Sequence, residues 1–190
     1  TGDYNIAIGL SSGEKNTSGP HNTFIGSRDA GACNTIGGHN TFLGGYSGKG
    51  NTTACYNAYV GYGAGKCHAT GNYNVAFGVC ALCGDSASNG SGNTGASNIA
   101  IGSCAMKIAT TGSSNTVIGA NAGDAITSGS GNIALGYGVD VTSATQNCQL
   151  AIGYSTNHWI DGDNNFSVCL AKGAIKALWT GNLCATCFIG

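Results

Sequence analysis

Short apolar triplets, each opened by Asn and closed by Gly, recur along this chain. The copies are NIAIG ending at Gly9, NTFIG at Gly26, NTFLG at Gly44, NAYVG at Gly61, NVAFG at Gly78, NIAIG at Gly102, NTVIG at Gly119, NIALG at Gly136 and QLAIG at Gly153. Successive glycines stand 17, 18, 17, 17, 24, 17, 17 and 17 residues apart. The step of 24 is one period plus an insertion, which belongs in the polar stretch 84–97. A 17-residue unit is too short for a helix–turn–helix repeat or a propeller blade. Gly, Asn and Thr are also poor helix formers. The pattern predicts an all-β chain: a parallel β-solenoid, or β-roll, over residues 1–153, with nine coils of two or three short strands each. At about 4.8 Å per coil it would be a rod of roughly 40 Å. Residues 154–190 leave the repeat, and both Trp159 and Trp179 lie there. This end reads as a distinct C-terminal β segment or cap.

The columns of the repeat carry expectations about packing. The residue before Gly is always large and apolar, from Ile8 and Ile25 to Leu135 and Ile152, and is expected to point into the core. The residue two earlier shares its side of the strand. The residue between them faces the other way and reads Ala7, Phe24, Phe42, Tyr59, Ala76, Ala100, Val117, Ala134, Ala151. Where that middle residue is large the earlier one is small, and the reverse, so both strand faces are expected to be packed. A solitary solenoid has one dry face per strand, so two packed faces imply solenoids lying side by side.

A turn ladder is expected from the polar columns. Asn fills its place in eight of nine coils, at Asn5, Asn22, Asn40, Asn57, Asn74, Asn98, Asn115 and Asn132, with Gln149 the exception. Asn tolerates left-handed backbone at corners, and stacked amides hydrogen-bond along a ladder. The Gly column implies positive φ or backbone too close for a Cβ. Three residues past Gly the chain is mostly small, as at Ser47, Ala64, Ala81, Ala105 and Ala122.

Composition narrows the function. Gly supplies 34 of 190 residues and only 8% are charged, against about 25% in ordinary domains. Apolar residues reach 42%, which argues against disorder, and a single Pro excludes collagen and polyproline stalks. The net charge is −1 with scattered cations, so no stripe holds a phosphate backbone and no nucleic-acid partner is expected. No apolar run is long enough for membrane insertion. The chain opens at Thr1 rather than Met, as expected of a processed protein or a piece of a longer one. Four residues precede the first phrase and the other end changes character, which suits head-to-tail addition into a filament. Ten Cys lack the paired spacing of zinc knuckles. Cys80 and Cys104 occupy one slot of adjacent coils and are the expected disulfide.

Motifs that resemble chemistry read as scaffold. Gly9-Leu-Ser11-Ser-Gly13 matches a nucleophile elbow, but it falls out of the repeat, whose same slot holds Arg28, Tyr46, Gly63, Cys80, Cys104 and Asn121 elsewhere. Gly48-Lys49 and Gly65-Lys66 lack the phosphate-loop continuation and read as turns. Asp161-Gly-Asp163-Asn-Asn165 opens like a calcium loop, yet Phe166 replaces the needed Gly and Lys172 the closing Glu. His21 and His39 share a column with Tyr4, Tyr56 and Tyr73, which favours stacking over ligation. Glycosylation sequons stand at Asn16, Asn51, Asn89 and Asn165. No catalytic residue, metal or cofactor is expected, and the chain is not expected to be an enzyme.

The phrase GNYNVAFG at 71–78, the coil NTVIGANAGDAITSGSGNIALGYG at 115–138 and the tail QLAIGYSTNHWIDGDNNFSV at 149–168 resemble the repetitive shafts of phage and large-virus tail-fibre proteins. The NIAIG unit is also similar to head repeats of trimeric autotransporter adhesins. The resemblance covers roughly residues 1–170. It implies a homotrimer of parallel β-rolls and a structural fibre on a virion or in the extracellular space, with a receptor-binding end. The alternative is a bacterial surface adhesin that binds host-surface glycans through exposed Tyr and Trp. An ice-binding surface would need a regular Thr array, and only Thr23, Thr41 and Thr116 share a column.

Overall fold

The computed structural model describes residues 2–84, 93–165 and 167–170. Nine strands stack in sequence order into one parallel sheet: β1 (Ile6–Leu10), β2 (Thr23–Arg28), β3 (Thr41–Leu43), β4 (Ala58–Val60), β5 (Val75–Phe77), β6 (Ile99–Ile101), β7 (Thr116–Ile118), β8 (Ile133–Leu135) and β9 (Leu150–Tyr154). Equivalent residues of the repeat pair directly, as Val60 with Phe77 and Phe77 with Ile101. The chain is thus a β-solenoid of about 17 residues per turn, and the described residues contain no helix. β10 (Asn157–Gly162) folds back antiparallel on β9, and β11 (Val168–Leu170) pairs antiparallel with β10.

Each coil carries one strand, not the expected two or three. The rest is turn, because left-handed backbone interrupts it at three places. One is the residue before Asn, as at Tyr56 (φ 61°) and Ser114 (φ 59°). A second follows the repeat Gly, as at Tyr46 and Cys80, and a third lies two residues further, as at Gly48 and Leu82. The Asn residues themselves are not left-handed; that strain falls on their neighbours. Turns still bond from coil to coil, as Gly13 N–H does to Ala30 O (2.9 Å) and Gly48 N–H to Ala64 O (2.9 Å). The extra residue of the 18-residue step follows Gly26, where the register shifts so that Leu10 meets Arg28. The turn slot of that coil therefore holds Asp29 (φ 56°), not Arg28.

In the repeat Gly column φ is positive at all but Gly26 and Gly153, and neighbouring backbone lies too close for a Cβ. φ is +116° at Gly9 and +138° at Gly78. A Cβ on Gly61 would sit 2.5 Å from Gly78 O, and one on Gly26 would sit 2.4 Å from Gly44 O. Coil-to-coil contact is therefore backbone on backbone, and no larger residue fits.

The core lies on the opposite side of the strand from the expected one. From the second coil onward the middle residue of each triplet is buried: Phe24, Phe42, Tyr59, Ala76, Ala100, Val117, Ala134 and Ala151, whereas Ala7 in the first coil is exposed. The residues before Gly face outward, with Phe77 57% and Ile118 42% exposed. Size compensation operates inside the core, between the strand and the turn. Aromatic Phe42 and Tyr59 face Gly48 and Gly65, whose Cβ atoms would strike the rings at 2.5 and 2.4 Å. Where the strand offers Ala76 and Ala100, the same turn slot holds fully buried Leu82 and Met106. The small column three past Gly is buried as well, at Ser47, Ala64, Ala81, Ala105 and Ala122.

Candidate functional site

The outward sheet face is the most unusual surface of the molecule. Among the described residues, two apolar columns run along it without a covering element. Ile6, Val75, Ile99 and Ile133 form one, and Ile8, Phe77, Ile101 and Ile118 the other, all exposed. Coils 2 to 4 put Thr23, Thr41 and Ala58 into the first column. Continuous apolar patches of this length mark surfaces that associate.

Beside this face runs a ladder of five rings. Tyr4, His21, His39, Tyr56 and Tyr73 stack with centroids 5.0, 4.8, 4.8 and 5.2 Å apart and planes within 20° of parallel. His21 and His39 do stack. Their faces are covered by neighbouring rings, so the ladder offers edges to solvent rather than a platform.

The Asn column is a continuous hydrogen-bonded ladder. Each Oδ1 accepts the N–H of the next coil's ladder residue, from Asn5 to Asn22 (2.7 Å) through Asn74 to Asn98 (2.9 Å) and Asn132 to Gln149 (2.9 Å). Most of the amide nitrogens reach the next coil's turn carbonyls, as Asn98 Nδ2 does to Gly112 O (2.9 Å), while Asn57 Nδ2 is buried without a partner among the described residues. Gln149, the exception in sequence, ends the ladder. Its longer side chain reaches back to its own coil, accepting from Thr142 Oγ1 (2.8 Å) and Ser143 N (2.9 Å).

A second, internal ladder escaped the sequence reading. Asn34 Nδ2 donates to Asn16 Oδ1 (2.8 Å) and Asn51 Nδ2 to Asn34 Oδ1 (2.6 Å). The next coil places His68 in this column. His68 is fully buried with neither ring nitrogen bonded, beside an Asn51 Oδ1 that also lacks a partner. Burial lowers the His68 pKa to about 4.

The other sequence candidates fall as follows. Asn51 is buried in this ladder, and half-buried Asn16 is bonded into it. Asn165 is exposed, and Asn89 lies outside the described residues. Ser11 sits in a left-handed turn with no His or Asp partner. Asp161 binds His158, while Asp163 caps its own loop through the N–H groups of Asn165 and Ser167 (2.9 and 3.0 Å). Among the described residues no three metal-ligating side chains gather. Cys80 and Cys104 do share a slot, each bonding the preceding coil through its N–H, but their thiols are unbridged. The thiols in hydrogen-bonding contact are instead Cys67 and Cys83, a contact that pushes Cys83 well above the usual thiol range. Trp159 is exposed and lies away from the shallow hollow lined by Thr142, Asp161, Asp163 and Cys169. Trp179 lies outside the described residues. No described helix is long and apolar enough to cross a membrane.

Comparison of the chain with protein-family models, with curated proteins and with solved structures finds no match in any of the three.

Proposed function

We propose that this chain is a structural shaft segment of a fibre on a virion or in an extracellular filament, closed by association with copies of itself as a parallel homotrimer. The observation that carries this reading is the uncovered apolar sheet face. An enzyme or a monomeric binding protein has no use for two rows of Ile, Val and Phe in water along the length of a rod. A copy placed alongside would bury them and leave the Ser-, Thr- and Gly-rich turns as the wet surface. The resemblance of residues 71–78, 115–138 and 149–168 to fibre shafts favours three copies over two. Nothing in the repeat supplies the clustered groups that catalysis needs, and we read the chain as non-enzymatic, without cofactor. A second reading, a glycan-binding surface adhesin, is favoured by the exposed Trp159.

Immunogold electron microscopy of the source particle or cell, with antibodies raised against the chain, tests the reading. Label along surface fibres is expected; label confined to the interior would reject it.

A further inference from the structure

The described residues contain five cationic side chains: Lys15, Arg28, Lys49, Lys66 and Lys107. Three of them converge on one ring. Lys49 Nζ lies 5.2 Å from the Tyr46 centroid, and Arg28 Cζ and Lys66 Nζ each lie 5.7 Å from it. They come from three successive coils, so the solenoid winding itself gathers them. Among the described residues the only carboxylate paired with them is Asp29, 2.9 Å from Lys49 Nζ and 3.8 Å from Arg28 Nε. Among the described residues Lys66 makes no ion pair. Two positive charges therefore remain unbalanced.

Such crowding is not explained by stability. Like charges gathered around one ring repel one another, and a cation over an exposed ring gains only a weak attraction in return. An anion placed between the cations would reverse the sign of this balance. Next to them stands Tyr62, 56% exposed and edge-on to Tyr46 at 5.4 Å. Its ring packs over Gly45, where a Cβ would touch its carbons at 3.4 and 3.5 Å. An aromatic ring thus lies against the rod surface beside the charges.

We propose that Arg28, Lys66 and Tyr62 form a binding site for an acidic saccharide. Its sulfate or carboxylate lies between the guanidinium of Arg28 and the ammonium of Lys66, and its sugar ring lies against Tyr62. Lys49, held by Asp29, and Tyr46 position the two anion-binding groups. The site does not depend on the shaft reading: a chain that fails to trimerise still carries it, and a trimer that binds no glycan still leaves the shaft intact.

Calorimetric titration of the full chain at physiological salt tests this. The probes are a sulfated heparin-derived tetrasaccharide, a galacturonic acid tetramer, neutral cellotetraose and inorganic sulfate. At least one acidic probe binds, cellotetraose does not, and inorganic sulfate binds more weakly than the preferred oligosaccharide. Which acidic probe binds distinguishes sulfate from carboxylate. K66Q and R28Q each weaken binding by about ten-fold or more, the loss of one charge-assisted contact, whereas K107Q leaves it unchanged. Y62A weakens the oligosaccharide and leaves inorganic sulfate alone. Absence of binding to both acidic probes would overturn the proposal. So would binding that K66Q and R28Q do not weaken, or sulfate binding as tight as the oligosaccharide.

Discussion

Gly48 occupies space that the ring of Phe42 has already claimed: a Cβ there would lie 2.5 Å from two ring carbons. Five residues separate the two along the chain, with Phe42 on the strand and Gly48 on the turn facing it. The same pair of slots holds Ala76 and Leu82 two coils later. The core is therefore filled by exchange between strand and turn, coil by coil.

That exchange predicts a non-additive double mutant. F42A should cost about 3–5 kcal/mol, as large-to-small core changes do. Adding G48L to F42A should recover part of this loss by copying the Ala76–Leu82 arrangement, whereas G48L alone should prevent folding or cost more than F42A. Urea unfolding of the variants measures the coupling. Purely additive losses would mean the two slots do not share one space.

The Asn ladder predicts that charge is worse than truncation. Asn98 accepts from Asn115 N (3.0 Å) and donates to Gly112 O (2.9 Å) while fully buried. N98A leaves partners unsatisfied, at about 1–3 kcal/mol each. N98D keeps the acceptor but points a carboxylate oxygen at the Gly112 carbonyl. Its loss should exceed that of N98A in denaturant titrations at pH 7, and the gap should narrow on acidification. Equal losses would show that the donated bond contributes nothing.

Fully buried His68 and half-buried Asp140 set opposing pH dependences. His68 has a folded pKa lowered by burial from 6.5 to about 4. Its neutral form is favoured by folding, so its stability contribution is present above pH 6.5 and is lost as pH falls toward 4. The full loss is about 3 kcal/mol. Asp140 is shifted the other way, from 3.8 to about 6, by burial and then by the neighbouring Asp124. Its contribution is present below pH 3.8 and lost as pH rises through 6. H68N, which extends the inner ladder by giving Asn51 Oδ1 a donor, should remove the loss between pH 6.5 and 4. D140N should raise stability at pH 7. A wild-type-like pH profile in H68N would place the titration elsewhere.

Mild oxidation with diamide, a two-electron oxidant, should link Cys67 to Cys83 first, because those thiols already touch. Mass spectrometry of unreduced peptides reads the connectivity. A dominant Cys80–Cys104 link, with Cys67 and Cys83 still reduced, would contradict this order.

Much of the architecture was legible from the chain. The period gave the parallel register, because Asn and Gly must recur wherever an amide ladder and a backbone contact recur. The inside and outside of the strand were not. A three-residue strand puts one side chain on one face and two on the other, and the pair looks like the core by number alone. Phe42 and Tyr59 gave the opposite signal, since only their column requires Gly48 and Gly65 in the turn. Asn16 and Asn51 read as sequons because Ser18 and Thr53 complete the motif. The two Asn side chains instead bond along the inner ladder, which only the winding reveals. The cation cluster was invisible because Arg28, Lys49 and Lys66 meet only after winding.

The proposed function assigns the outward apolar face to self-association, and the size of the native particle reports on it directly. Sedimentation equilibrium of the full chain should return three times the 18.8 kDa chain mass, with F77D and I118D shifting it toward a single chain. A stable, monodisperse species of 18.8 kDa across the accessible concentration range would contradict association through this face.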